Sequence, residues 1–131
     1  MTHQQKTSPR AIYRLQETQR VLESAPLATK FQNLKSLTVD LAFFDPEGQA
    51  KSSEIKYTVN LDHAKSVFCF ACHNHECVAG DFDLSHVLAE AVADREDSIQ
   101  GEIRCEGWRN KNTIGSLNCR NLLRYKLTLR Y

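Results

Sequence analysis

The stretch Ser36-Leu37-Thr38-Val39-Asp40-Leu41-Ala42-Phe43 decides the fold class. Leu37, Val39, Leu41 and Phe43 fall on one side of it and Thr38, Asp40 and Ala42 on the other, the period of two that marks a strand with one face toward a core. Just beyond it, Asp45-Pro46-Glu47-Gly48 has Asp at the first position, Pro at the second and Gly at the fourth, the chemistry of a type I turn. The chain then returns through Ile55, Tyr57, Val59 and Leu61, which alternate with Glu54, Lys56, Thr58 and Asn60. These two strands and their turn form a hairpin.

Upstream, Ile12, Leu15, Val21 and Leu22 fall near one face of a helix predicted over about 9–24, with Pro9 in its first turn and Ala25-Pro26 ending it. Residues 1–9 lack apolar periodicity and read as a disordered tail. Downstream, Lys65-Ser66-Val67-Phe68-Cys69-Phe70-Ala71-Cys72 is apolar on both faces in the manner of a central strand, and it delivers Cys72 to its end. Asp83 caps a helix over 84–95 in which Leu84, Val87, Leu88, Ala91 and Val92 form the inner stripe. A further strand carries Ile99, Gly101, Ile103 and Cys105 inward. Residues 109–120 read as a polar loop, and Leu123, Tyr125, Leu127, Leu129 and Tyr131 alternate in the last strand. The sum is an α+β domain over 10–131: an antiparallel sheet of about five strands, one covering helix, an N-terminal helix and a zinc-ribbon-like four-cysteine site.

A chain of 131 residues suits one core. No apolar run approaches the roughly 20 residues needed to cross a bilayer, and the polar, basic start lacks a secretory signal, so a cytoplasmic protein is expected. Five cysteines in a reducing compartment favour metal ligation over disulfides. The charge is segregated. Residues 1–35 carry six Lys or Arg against two acids, residues 36–100 four against twelve, and residues 101–131 seven against two.

Zinc takes four soft or borderline ligands at the corners of a tetrahedron, commonly from two loops that each present a thiolate pair. Cys72 and Cys77, with four residues between them, supply one pair, with Asn74 and Gly80 tolerating a left-handed backbone in that loop. Cys105 and Cys119 supply the other, provided the segment between them folds over. Cys69 makes a second C-x-x-C with Cys72, but residues three apart in a strand point to opposite faces, so it reads as a small buried apolar residue. His73, His75 and His86 stand near enough in sequence to replace or extend the ligand set, though four thiolates already complete it.

The run Cys72-x-Asn74-x-x-Cys77-x-x-Gly80-x-Phe82-Asp83-Leu84-Ser85, then Cys105-x-Gly107-Trp108, Cys119 and Leu123-x-Tyr125-x-Leu127 through to Tyr131, resembles the pattern of a poorly characterised family of small bacterial proteins. The resemblance spans about residues 55–131 and implies that the four cysteines are zinc ligands; it brings no activity with it, and Cys69 is not part of the pattern. Val67-Phe68-Cys69-Phe70-Ala71-Cys72 with Gly80-Asp81 also resembles part of the zinc domain of bacterial primases. The earlier Cys and His of that domain have no counterpart, since Phe43-Phe44-Asp45-Pro46 stands in their place.

Four thiolates leave zinc no open position, so the expected function is that of a non-enzymatic adaptor or interaction domain with a protein partner. No H-E-x-x-H, paired catalytic carboxylates or glycine-rich phosphate loop argues for an enzyme. The alternative is nucleic-acid binding: Arg124, Lys126 and Arg130 alternate out of the core face, Arg104, Arg109, Lys111 and Arg120 add charge, and Trp108 offers a stacking surface.

Overall fold

The structure is a computed structural model that describes residues 9–73, 77–78, 80–109 and 117–131, with the side chains of Val78, Trp108, Arg109, Leu117 and Asn118 set aside. Residues 1–8, assigned above to a tail, lie outside it.

The alternating segment forms β1 (Ser36–Phe44), and its burial alternates along the whole strand, with Leu37, Val39, Leu41 and Phe43 inside. Around it stands a four-stranded antiparallel sheet in the order β2-β1-β9-β6, where β2 is Lys51–Thr58, β6 is Ser98–Arg104 and β9 is Leu122–Arg130. Register lines the inward residues up in rows. Val39 stands between Tyr57 and Leu127, with Ile99 beyond; Leu41 stands between Ile55 and Tyr125, with Gly101 beyond. A side chain at Gly101 would run into the Tyr125 ring, with its Cβ 2.6 Å from the hydroxyl, so the glycine gives that ring its seat. The turn expected between β1 and β2 is present: the Gly48 amide donates to the Asp45 carbonyl at 2.9 Å, the Gln49 amide donates to the Asp45 carboxylate, and Gly48 has φ +73°.

The covering helix, α3 (Ser85–Ala93 in chain order), buries Leu88, Ala91 and Val92 in the same core as β1 and β9. It is shorter than the 84–95 expected, and Leu84 rather than Asp83 stands at the capping position, although the Asp83 carboxylate accepts from the Ser85 amide at 2.9 Å. The Tyr131 hydroxyl ties the chain to the far end of this helix by donating to the carbonyls of Ala91 and Glu96.

Four expectations are corrected. The main sheet has four strands, because Val67 to Cys72 is not a central strand: only Cys69–Ala71 is extended (β3), and it pairs with Asp81–Asp83 (β5) in a separate two-stranded sheet. Both edges of β1 are already taken by β2 and β9. The apolar character on both sides of 67–72 serves instead to build a side wall, in which Phe68 is buried, Phe70 packs edge-on against it at 5.1 Å, and Phe82 of β5 meets Phe43 at 5.9 Å. The polar loop 109–120 contains two short strands, β7 (Trp108–Arg109) and β8 (Leu117–Asn118), which join β4 (Cys77–Val78) in a three-stranded sheet. A one-turn helix, α2 (Leu27–Lys30), was not foreseen; it buries Leu27, and the amides of Leu27 and Ala28 donate to the carbonyls of Ala64 and Leu61.

The fourth concerns α1 (Pro9–Glu23), which forms as expected but docks by its other side. Of the expected stripe, Ile12, Leu15 and Leu22 are exposed and Val21 is half-buried, while Arg10, Tyr13, Arg14 and Glu17, at i, i+3, i+4 and i+7, face the protein. Apolar spacing alone does not say which stripe docks when a polar stripe has carbonyls to bond.

Burial is equally uneven across the hairpin. Ile55 and Tyr57 share the inward face of the sheet yet remain 39% exposed, since the core ends at β1. Leu41→Ala should therefore cost about 2–5 kcal/mol of stability, as a fully buried leucine does, whereas Ile55→Ala should cost less than about 1.5 kcal/mol. Denaturant unfolding of the two variants checks the contrast.

Candidate metal centre

Each of the four cysteines is set by a different strand end. Cys72 leaves β3, Cys77 opens β4, Cys105 follows β6, and Cys119 follows β8. The pairing of β7 with β8 is what returns Cys119 to Cys105 across a long separation in sequence, and the Cys119 amide donates to the Gly107 carbonyl at 2.8 Å. Arg120, with φ +55°, then turns the chain back, and the Cys105 amide donates to the Asn121 carbonyl.

The four Sγ atoms lie within 4.8 Å of one another, and all four residues are buried. Cys77 and Cys105 are 3.5 Å apart at sulfur, and Cys72 and Cys119 are 3.6 Å apart. A tetrahedron with metal–sulfur bonds of about 2.3 Å has edges of about 3.8 Å, so the spacing fits an ion. It is far too long for a disulfide, whose sulfurs stand about 2.05 Å apart, and none of the five cysteines is in a disulfide. The donor set is soft, closed and built from two halves, as a structural metal requires.

The backbone leaves the sulfurs a bare cradle. A Cβ on Gly80 would overlap Cys77 Sγ and come within 2.5 Å of Cys105 Sγ, and one on Gly107 would stand 2.6 Å from Cys77 Sγ and 2.7 Å from Gly80 Cα. The expectation that Gly80 serves a left-handed backbone is corrected: its φ is not positive, and what matters is the missing side chain. The Gly107 amide also donates to Cys105 Sγ at 3.4 Å, and the Asn121 amide group approaches Cys72 Sγ at 4.0 Å. Burial pushes the Cys77 thiol up to about 12; Cys105 is raised as well, first by its hydrogen bond with Cys72 and then by burial. A metal ion would reverse this by taking the thiolates.

The other candidates separate from this cluster. His73 stacks on Phe43 with ring centroids 3.8 Å apart, and its Nδ1 bonds with Ser53 Oγ at 2.8 Å. His86 lies on the surface of α3, 3.0 Å from Glu90. His75 and Asn74 lie outside the described residues. Cys69 is apart from the four sulfurs, as strand geometry required, but it is half-buried beside Glu17 and Asp81 and not an apolar filler; burial and these carboxylates push its thiol up to about 11.

Among the basic candidates, Arg104 donates to the carbonyls of Pro46 and Arg120 at 2.6 and 3.2 Å. Arg124 lies 3.5 Å from Glu102 and over the Phe44 ring. Lys126 is exposed between Asp40 and Gln100 in register, and Arg130 is exposed at the end of β9. Lys111 lies outside the described residues, and the Trp108 and Arg109 side chains are among those set aside. The outer sheet face thus interleaves Arg124, Lys126 and Lys56 with Glu102, Asp40 and Glu54.

Residues missed in the sequence come from α1. Arg10 donates from Nη1 to the Cys77 carbonyl at 2.8 Å and from Nη2 to the Cys72 carbonyl at 3.0 Å, while Arg14 Nη2 donates to the Gly80 carbonyl at 2.7 Å. Tyr13 reaches the Asp81 carboxylate at 3.5 Å. Their signal was the polar stripe 10, 13, 14, 17, which reads as a solvated face until its partner carbonyls are known. Below it, Glu17 is held below the usual carboxylate range chiefly by its hydrogen bond with Arg20, and Asp81 is pushed up to about 6 by burial and by Glu17.

No protein-family model, curated protein or solved structure matches this chain.

Two predictions follow from this geometry. Gly80→Ala and Gly107→Ala should each weaken metal binding by about five- to 150-fold, the scale of a 1–3 kcal/mol overpacking penalty, in competition with a chromophoric chelator. Asp81 binds its proton more tightly in the native state than in the unfolded one, so its contribution to stability falls as pH rises through about 6. Glu17 acts in the opposite sense, contributing above its unfolded value and losing that contribution as pH falls. The four thiolates of the metal-loaded chain take up protons on unfolding, so its thermal stability should rise with pH between 5 and 7, and Asp81→Asn, which removes the opposing contribution, should steepen that rise.

Proposed function

We propose that this chain is a non-enzymatic interaction domain whose fold is closed by one structural zinc ion on Cys72, Cys77, Cys105 and Cys119. The observation that carries the reading is the cluster of four buried sulfurs in a cradle where neither Gly80 nor Gly107 could bear a side chain. Four thiolates satisfy a tetrahedral ion, which leaves no position for a water or a substrate, and that separates a structural site from a hydrolytic one.

Zinc, when bound, supplies a cross-link between the 72–80 loop and the two strand ends at 105 and 119. The three-stranded sheet β4-β7-β8 consists of strands of only two residues each, too short to stand without such a tie. Thiolates kept for metal belong in a reducing compartment such as the cytoplasm. Surface features suit a protein partner: Ile12, Leu15 and Leu22 lie exposed along one side of α1, and β2 is an open sheet edge. The nucleic-acid alternative gains no support from the mixed charges of the outer sheet face.

Native mass spectrometry of the full chain should find one zinc per chain, lost on treatment with a strong chelator together with the fold around 72–80 and 105–119. Cys→Ser at 72, 77, 105 or 119 should remove or sharply weaken it, and Cys69→Ser should retain it. Full retention after any of the four changes would overturn the ligand set.

A further inference from the structure

The N-terminal helix is attached in an unusual way. None of its residues is buried, and its larger apolar side chains Ile12, Leu15 and Leu22 point to solvent. A free helix of 15 residues is marginal in water, so α1 depends on what it docks against. Its strongest bonds go to the backbone of one loop: Arg10 bridges the carbonyls of Cys72 and Cys77, and Arg14 bonds the carbonyl of Gly80.

Backbone pairing presents two of those carbonyls together, since the Cys72 amide donates to the Gly80 carbonyl at 3.2 Å just past the Ala71–Asp81 pair. It does not include the third, because Cys77 opens a two-residue strand in a different sheet. What brings the Cys72 and Cys77 carbonyls within reach of one guanidinium is the meeting of their sulfurs in the four-cysteine cluster. A planar guanidinium with its fork of N–H donors spans two carbonyls only when their spacing is held, so it senses the closed loop and not merely its charge. Charge acts in the same direction, since four thiolates on a divalent ion carry a net charge near −2, next to two arginines with poor access to screening solvent.

We propose that Arg10 and Arg14 are positioning residues of the metal centre and that metal binding and the docking of α1 are one coupled equilibrium: the ion holds the loop that seats the helix, and the helix retains the ion. This rests on the reading of the four cysteines as a metal site. Coupling of this kind is reciprocal, so whatever loosens α1 must loosen the metal by the same factor. Removal of the ion releases residues 9–23 and uncovers Cys69, Glu17 and Asp81, which α1 now covers or contributes. The chain thereby ties the presentation of its N-terminal helix to the state of its cysteines.

The test uses the full chain loaded with zinc. Hydrogen exchange should show α1 amides protected with the ion and unprotected after chelation, while β1 and β9 keep their protection. Arg10→Gln combined with Arg14→Gln should weaken zinc binding, in equilibrium competition with a chromophoric chelator, by about ten-fold or more, the scale expected for lost charge-assisted hydrogen bonds, with β1 and β9 again unchanged. Leu15→Gln, on the outer side of the same helix, should leave the affinity as it is. An unchanged zinc affinity in the double arginine variant, or equal protection of α1 with and without zinc, would overturn the coupling while leaving the metal site intact. A wild-type chain that binds no zinc in the native mass spectrum would instead overturn the metal reading on which the coupling stands.

Discussion

Four sulfur atoms from four strand ends must reach one small volume, and the backbone passing beside them must carry no side chain there. That constraint organises the whole C-terminal half of the chain. It explains why Gly80 and Gly107 face the cluster, why Arg120 takes a left-handed backbone just after Cys119, and why Trp108–Arg109 and Leu117–Asn118 pair as strands. The main sheet supplies the rigid frame, since β6 and β9 run directly into Cys105 and out of Cys119. The side wall of Phe68, Phe70 and Phe82 joins that frame to the loop that carries Cys72.

Much of this was legible in the sequence wherever one face of a segment is buried. β1 and β9 alternate cleanly, because their inward side chains meet a covering helix and their outward ones meet water, so a period of two survives in the residues. The turn at 45–48 was legible from the chemistry of Asp, Pro and Gly. The cluster of four cysteines was legible from type, number and spacing, and strand geometry set Cys69 aside from it.

What escaped had a physical reason in each case. Val67 to Cys72 is apolar on both sides, which describes a central strand and a packed wall equally well, and only the pairing of β1 on both edges decides between them. β7 and β8 are two residues long, below the length at which periodicity exists. For α1 the apolar stripe was the visible signal, yet the helix docks through arginines on carbonyls; backbone acceptors carry no mark in a sequence. The same applies to Gly80, whose role is set by sulfur atoms from distant segments.

The molecule is thus a small sheet-and-helix core extended, through the buried Cys72, Cys77, Cys105 and Cys119, by a region of short strands. In that region, short strands, bare glycines and two arginines all converge on the sulfurs, and each makes sense if a cation sits among them. The most direct test is zinc K-edge X-ray absorption on the purified full chain. The account predicts a first shell of four sulfurs at about 2.3 Å. A shell containing nitrogen or oxygen, or a fully folded chain carrying no metal, would contradict it.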